Sequence, residues 1–325
     1  QRLRYHRQRN GSFNQKGRTE PAMVRVPLDT AAKPEKETLL RKIEPLPFVP
    51  GGAQGEENME EIVRIQCVSL ATRLDAIGTK TAVIGVSGGL DSTLALLVGA
   101  RAFDLLGLPR AGLTAVTMPG MGTGVRTKTN ADRLMAALGV TAREIPIEAA
   151  VRQHFKDIGH AESDHSVVYE NSQARERTQL LKDIANQVGG IVLGTGDMSE
   201  AALGFSTYNG DHMSMYNVNC SIPKTLVRAL VKYLGEHVFG GQVEKTCEDI
   251  IDTPISPELL PTDKGELNQR TEEILGDYAL HDFFLYHLMD SGSSPKRLYA
   301  FARQAFNGVH TDDAIEKALR LFLRR

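Results

Sequence analysis

The chain has 325 residues, 41% of them hydrophobic and 6% aromatic, enough for one large domain or two small ones and incompatible with wholesale disorder. Its 38 lysines and arginines nearly balance its 40 aspartates and glutamates, so the net charge of -2 lacks the basic excess of a nucleic-acid-binding protein. Cys67, Cys220 and Cys247 form no CxxC pair, which argues against a zinc site or a disulfide framework and for a reducing, cytoplasmic setting; no apolar run reaches the roughly 18 residues of a membrane span.

Residues 1–50 are polar, with prolines at 21, 27, 34, 45, 47 and 50, and read as a domain end plus linker. The basic start lacks the apolar core of a secretory signal, and the missing initiator methionine is expected of a fragment. Over residues 56–75, Ile62, Ile65, Leu70 and Leu74 recur at helical spacing. Thr81-Ala82-Val83-Ile84-Gly85-Val86 is a short apolar run of the buried parallel-strand type. A glycine-rich turn follows, then an Ala- and Leu-rich helix over 92–106. Further strands are predicted at 111–118, 142–147 and 190–195, with helices at 127–138 and 172–188 between them. Beyond Ile222 the pattern is helical, at 223–239, 277–289, 295–306 and 312–323. This alternation predicts an α/β fold, an open parallel sheet with flanking helices, followed by a helical C-terminal part.

The turn is Ser87-Gly88-Gly89-Leu90-Asp91-Ser92. Backbone N–H groups at the start of a helix, with the helix dipole behind them, form an anion site. Two glycines let the backbone approach phosphate closely, and Ser87 and Ser92 add hydroxyl donors. Asp91 would repel a phosphate unless a cation lay between them, so its presence argues for magnesium-bridged pyrophosphate. The GxxxxGK[ST] spacing of a Walker A loop does not occur.

Five further segments carry chemistry. Gly194-Thr195-Gly196-Asp197-Met198-Ser199-Glu200 lies just past a predicted strand, where ligands gather in open α/β sheets. It is followed by Gly204-Phe205-Ser206-Thr207-Tyr208-Asn209-Gly210-Asp211, and then by Tyr216-Asn217-Val218-Asn219-Cys220-Ser221-Ile222-Pro223-Lys224. Upstream stands Glu170-Asn171-Ser172-Gln173-Ala174-Arg175-Glu176-Arg177; downstream stands Thr253-Pro254-Ile255-Ser256-Pro257-Glu258-Leu259. Read alone, each has a bland alternative. Glu200 could be a surface carboxylate, and Lys224 a solvated lysine, although a cation at a helix start opposes the dipole and suggests a bound anion. Phe205 and Tyr208 could stack on a ring or fill a core. Arg175 and Arg177 would ordinarily form a solvated helix face. Cys220 has no nearby histidine and reads as a small buried hydrophobe.

SGGLDS resembles the signature of the PP-loop ATP pyrophosphatases. Together and in this order the segments resemble the NAD synthetase family, specifically the synthetase half of its glutamine-dependent form, from about residue 47 to 325. The resemblance implies that Ser87, Gly88, Gly89, Leu90, Asp91 and Ser92 hold the ATP phosphates, with Thr195, Lys224 and Ser256 also contacting ATP. It implies Asp91 and Glu200 as magnesium carboxylates and Asp91 and Lys224 as the catalytic pair. Asn171, Glu200, Phe205, Ser206, Thr207 and Tyr208, joined by Arg175 and Asp211, match the site for nicotinate adenine dinucleotide. The implied reaction adenylates that substrate with ATP and amidates it with ammonia, giving NAD, AMP and pyrophosphate.

By the same resemblance, residues 1–46 are the tail of a nitrilase-like glutaminase domain plus linker, and 47–325 are the amidation domain. Ammonia would come from that glutaminase domain, and the enzyme would assemble as a homo-oligomer, a dimer through the synthetase domain. The family continues beyond the position of Arg325 into a basic segment that places a substrate lysine. Alternatives are another PP-loop ligase, such as GMP synthetase or a tRNA-thiolating enzyme, and a non-catalytic nucleotide-binding module.

Overall fold

The computed structural model describes residues 42–210, 212–253 and 275–325. Residues 1–41 of the expected glutaminase tail and linker (1–46), together with Asp211 and Ser256, lie outside them.

Helix α1 (Gly55–Ala76) precedes strand β1 (Ala82–Gly85), which leads through the serine-glycine turn into α2 (Leu90–Leu105). Strand β2 (Leu113–Thr117), α3 (Val125–Leu138), β3 (Thr141–Glu144), α4 (Glu148–Ile158) and α5 (Val167–Val188) follow. Strand β4 (Ile191–Gly194), the short α6 (Met198–Leu203) and the two-residue β5 (Tyr216–Asn217) complete the sheet region. All five strands are parallel, in the order β3-β2-β1-β4-β5. The predicted open parallel sheet is therefore present. The chain winds outward from β1 to β3 and then crosses to β4 on the other side of β1. That reversal leaves a crevice beyond the carboxyl ends of β1 and β4.

Both faces of the sheet are covered, which is why its central strands read as continuous apolar runs rather than alternating ones. Ala82 and Ile84 of β1, with Leu113 and Ala115 of β2, face the core built by α1, α2 and α3. Val83 and Val116 face the opposite side, against Val151 and Phe155 of α4 and Ile184 of α5. Strand β3 is exposed along its whole length; Lys128 of α3 pairs with its Glu144 at 2.9 Å. A short, charged strand suits a sheet edge.

Helix α7 (Lys224–Tyr233) runs into a wider-turned segment, Leu234–Phe239, before α8 (Gly241–Ile251). The single helix expected over 223–239 is thus interrupted by that wider turn. Helices α9 (Tyr278–Ser291), α10 (Pro295–Ala305) and α11 (Asp312–Arg324) form a helical unit around Phe283, Phe284, Leu298 and Ile315. Within α1 the buried stripe is Met59, Val63, Cys67, Leu70 and Leu74; of the four residues whose spacing predicted the helix, Leu70 and Leu74 belong to it, Ile62 packs half-buried against it, and Ile65 alone points to solvent, at 59% exposure. No described helix is long and apolar enough to cross a membrane.

Candidate active site

The crevice opens into a cavity of about 660 Å³, a size suited to a nucleotide-like ligand. Its floor is the turn after β1. Gly88 has a φ of +88°, and a Cβ there would stand 2.0 Å from the carbonyl oxygen of Thr127, so only glycine fits against α3. Gly89 caps α2 with extended backbone and without a side-chain hydrogen bond, which leaves the helix start to face the cavity. Ser87 Oγ accepts from Gly89 N at 3.2 Å, and the Ser87 and Ser92 hydroxyls pair at 3.2 Å. Both hydroxyls line the cavity.

The loop after β4 forms the facing wall. Asp197 Oδ1 accepts from Glu200 N at 2.8 Å and so caps α6. Asn219, fully buried, donates through Nδ2 to the carbonyl oxygens of Asp91 (2.9 Å) and Thr195 (3.1 Å). This side chain ties the phosphate-loop helix to the β4 loop. Asn217 supports the same loop by donating to the Gly196 carbonyl at 2.8 Å.

Lys224 sits between the two walls. It is 2% exposed, not solvated, and its Nζ lies 2.7 Å from Asp91, 2.8 Å from Asp197 and 2.9 Å from Glu200. Burial opposes the ammonium charge, but the attraction of Asp91, Glu200 and Asp197 outweighs it and holds the Lys224 pKa well above the ordinary lysine value. Burial also pushes the Asp197 carboxyl well above the usual carboxylate range, and the neighbouring Asp91 and Glu200 push it the same way against the pull of Lys224. One ammonium among three carboxylates leaves negative charge in surplus.

That surplus suits a further cation. Carboxylate oxygens of Asp91, Asp197 and Glu200 lie within 4.8 Å of one another, and Asp91 Oδ1 is buried without a hydrogen bond. An all-oxygen donor set is what magnesium takes.

The remaining candidates divide. Thr195, Asn171, Phe205, Ser206 and Thr207 line the cavity with Leu90 and Gly89. Tyr208 does not; it is 71% exposed, and its carbonyl accepts from Arg175 Nε at 3.4 Å. Arg175 itself is exposed, whereas Arg177, two residues along α5, lines the cavity and donates to the Met118 carbonyl at 3.2 Å. A step of two residues turns a helix to another face, which separates the two arginines. Cys220 also differs from its expected burial: it is exposed and lines the cavity.

Asp197, Asn219 and Arg177 were missed as site residues. Asp197 had a signal, an aspartate three residues before a glutamate at the end of a strand, the pattern of a helix cap. Asn219 had none beyond its place in the stretch 216–224.

Residues 62–311 match the family model described as NAD synthase. The chain belongs to that family. It is 45% identical over 307 residues to the glutamine-dependent NAD(+) synthetase of Mycobacterium leprae, covering 91% of this chain and 45% of that protein. The enzyme of the same name from Mycobacterium tuberculosis is 43% identical over 318 residues, covering 94% of this chain and 46% of that one. The chain thus spans about half the length of the curated relatives it matches. Among solved structures, a glutamine-dependent NAD(+) synthetase from Cytophaga hutchinsonii superposes with a TM-score of 0.64 at 16% identity, over 82% of this chain and 48% of that one. The NMN synthetase of Francisella tularensis superposes with a TM-score of 0.59 at 24% identity, over 78% of this chain and 96% of that one. At these identities the likeness concerns the fold.

Proposed function

We propose that this chain carries the ATP-dependent amidation half of NAD synthesis. The observation that supports it most is the Lys224 ammonium held among Asp91, Asp197 and Glu200, opposite a bare helix start in a nucleotide-sized cavity. In the first step the nicotinate carboxylate of nicotinate adenine dinucleotide attacks the α-phosphate of ATP; an acyl adenylate forms and pyrophosphate leaves. In the second, ammonia attacks the acyl carbon and AMP leaves. An activated acyl group is needed because a carboxylate oxygen is a poor leaving group.

The roles follow from chemistry. The N–H groups at the start of α2 and the hydroxyls of Ser87 and Ser92 bind phosphate oxygens. Lys224 offsets the charge that develops on the phosphates as the pyrophosphate separates. Asp91 and Glu200, with Asp197 beside them, would hold magnesium, which when bound neutralises pyrophosphate charge. Asn171, Phe205, Ser206 and Thr207 bind the dinucleotide along the opposite wall, and the bound substrates, by filling the cavity, limit capture of the adenylate by water.

The proposal includes a homodimer through this domain, a cytoplasmic setting and ammonia delivered from a glutaminase domain. Three unpaired cysteines suit a reducing compartment. None of them suits glutamine hydrolysis. Burial pushes the Cys67 and Cys247 thiols up to about 12, and Cys220 Sγ stands beside the Ser221 hydroxyl at 3.6 Å rather than a base.

The test is a product assay with ATP, magnesium and nicotinate adenine dinucleotide, supplied with ammonium or with glutamine. NAD is expected from ammonium and not from glutamine. NAD formed from glutamine by the purified chain would contradict the reading, as would amidation of xanthosine monophosphate in place of the dinucleotide, the mark of a GMP synthetase.

A further inference from the structure

Helix α7 begins at Lys224, and its cap residue is Pro223, which offers no side-chain hydrogen bond. The first N–H groups of a helix need acceptors when buried. Here they come from other elements. Lys224 N donates to Ser199 Oγ at 2.9 Å, and Thr225 N donates to Asp282 Oδ2 at 2.8 Å. The Thr225 hydroxyl donates to the same oxygen at 2.6 Å, and Ser199 Oγ donates to Asp282 Oδ1. Asp282 is 1% exposed and stands on α9, 57 residues along the chain from Thr225. One turn earlier on the same face of α9, the Tyr278 ring lies 5.3 Å from Lys224 Nζ.

We propose that Asp282 is a positioning residue for Lys224: a carboxylate from the C-terminal helical unit caps α7 in trans and, through Ser199, locks it to the helix that carries Glu200. The proposal rests on the role assigned to Lys224 above. A carboxylate at the start of α7 also opposes the dipole that a lysine at that position would otherwise meet unaided. Two oxygens serve two helices. Ser199 accepts from Lys224 N and so must donate its own hydrogen, and Asp282 Oδ1 is its acceptor. Asparagine would satisfy Thr225 through its oxygen but present an N–H₂ to Ser199, leaving that hydroxyl hydrogen without an acceptor.

The experiment compares the whole chain with D282A, D282N and F283L. Phe283 is fully buried in the helical unit, so F283L loosens that unit without removing the cap. Acylation of Lys224 by acetic anhydride, followed by peptide mass spectrometry, reads its placement without reference to activity. We expect labelling at least fivefold faster in D282A than in wild type or F283L, with D282N between. Equal labelling in all four, or equal acceleration in D282A and F283L, would overturn the proposal. In ATP–pyrophosphate exchange, D282A should lower the turnover at least tenfold with the KM for nicotinate adenine dinucleotide unchanged, while F283L keeps most of the turnover. A tenfold loss in both variants would also overturn it. A wild-type chain without exchange would count against the assigned reaction, and the labelling result would still decide the positioning role.

Discussion

The Nζ of Lys224 lies 2.7 Å from Asp91 Oδ2, joining two segments 133 residues apart. The lysine thus stands where a cation would meet the phosphate loop, and it partly satisfies the carboxylates that a divalent ion would need. Removing it should have two effects of opposite sign. Lys224→Met leaves three clustered carboxylates without their ammonium and is expected to destabilise the fold by about 3–5 kcal/mol. Magnesium should restore more stability to this variant than to the wild type. Thermal melts with and without magnesium chloride check this; an equal magnesium response in both proteins would mean that the ion does not bind at these carboxylates.

The phosphate loop makes a sharper claim about backbone. Gly88→Ala forces a side chain into a positive φ and against the Thr127 carbonyl; the strain is expected to cost about 2 kcal/mol or more. Gly89, at a φ of -86°, has its nearest neighbour, Ser87 Oγ, at 3.4 Å, and Gly89→Ala should leave stability nearly unchanged. Denaturant titration of the two variants separates them. Calorimetry should show ATP binding weakened more than tenfold in Gly88→Ala. Equal stability of the two would refute the packing argument.

A third expectation concerns pH. His281 is buried on α9, next to Asp282 in sequence; its Nε2 donates to the Leu275 carbonyl at 2.6 Å, and its Nδ1 has no hydrogen bond. Burial holds its pKa below the ordinary value of 6.5, despite the opposing pull of the Leu275 carbonyl, Asp282 and Asp277; Arg325 adds to the lowering. The unfolded chain therefore takes up a proton before the folded one does. Stability from this group is complete above 6.5 and is lost as pH falls below it. His281→Gln keeps a donor for Leu275 but does not titrate. It should flatten the fall in stability between about pH 6.5 and 5, measured by denaturant melts, and an unchanged slope would show that His281 is not the group responsible.

The sheet was legible because parallel strands buried on both faces must be apolar throughout, and Val83-Ile84 fits no other element as well. The boundary between β1 and α2 was legible for a chemical reason: glycines at positive φ and close approach mark a turn whatever the tertiary context. The state of Lys224 was not legible. A lysine after proline at a helix start reads as solvated, and its burial depends on Asp91, Asp197 and Glu200 arriving from the starts of two other helices, α2 and α6. The same holds for Asp282, which reads as one more polar position in an apolar helix until α9 is docked on α7. Cys220 was misjudged because an apolar side chain can as well line a cavity as a core.

The central claim is that this chain transfers AMP from ATP to the nicotinate carboxylate of the dinucleotide. The most direct measurement is exchange of labelled pyrophosphate into ATP with ammonia withheld, since exchange reports the reversible first step alone. The account predicts that label enters ATP only when both nicotinate adenine dinucleotide and magnesium are present, and that Asp91→Asn abolishes it. Label entering ATP without the dinucleotide, or no label entering with it, would contradict the account.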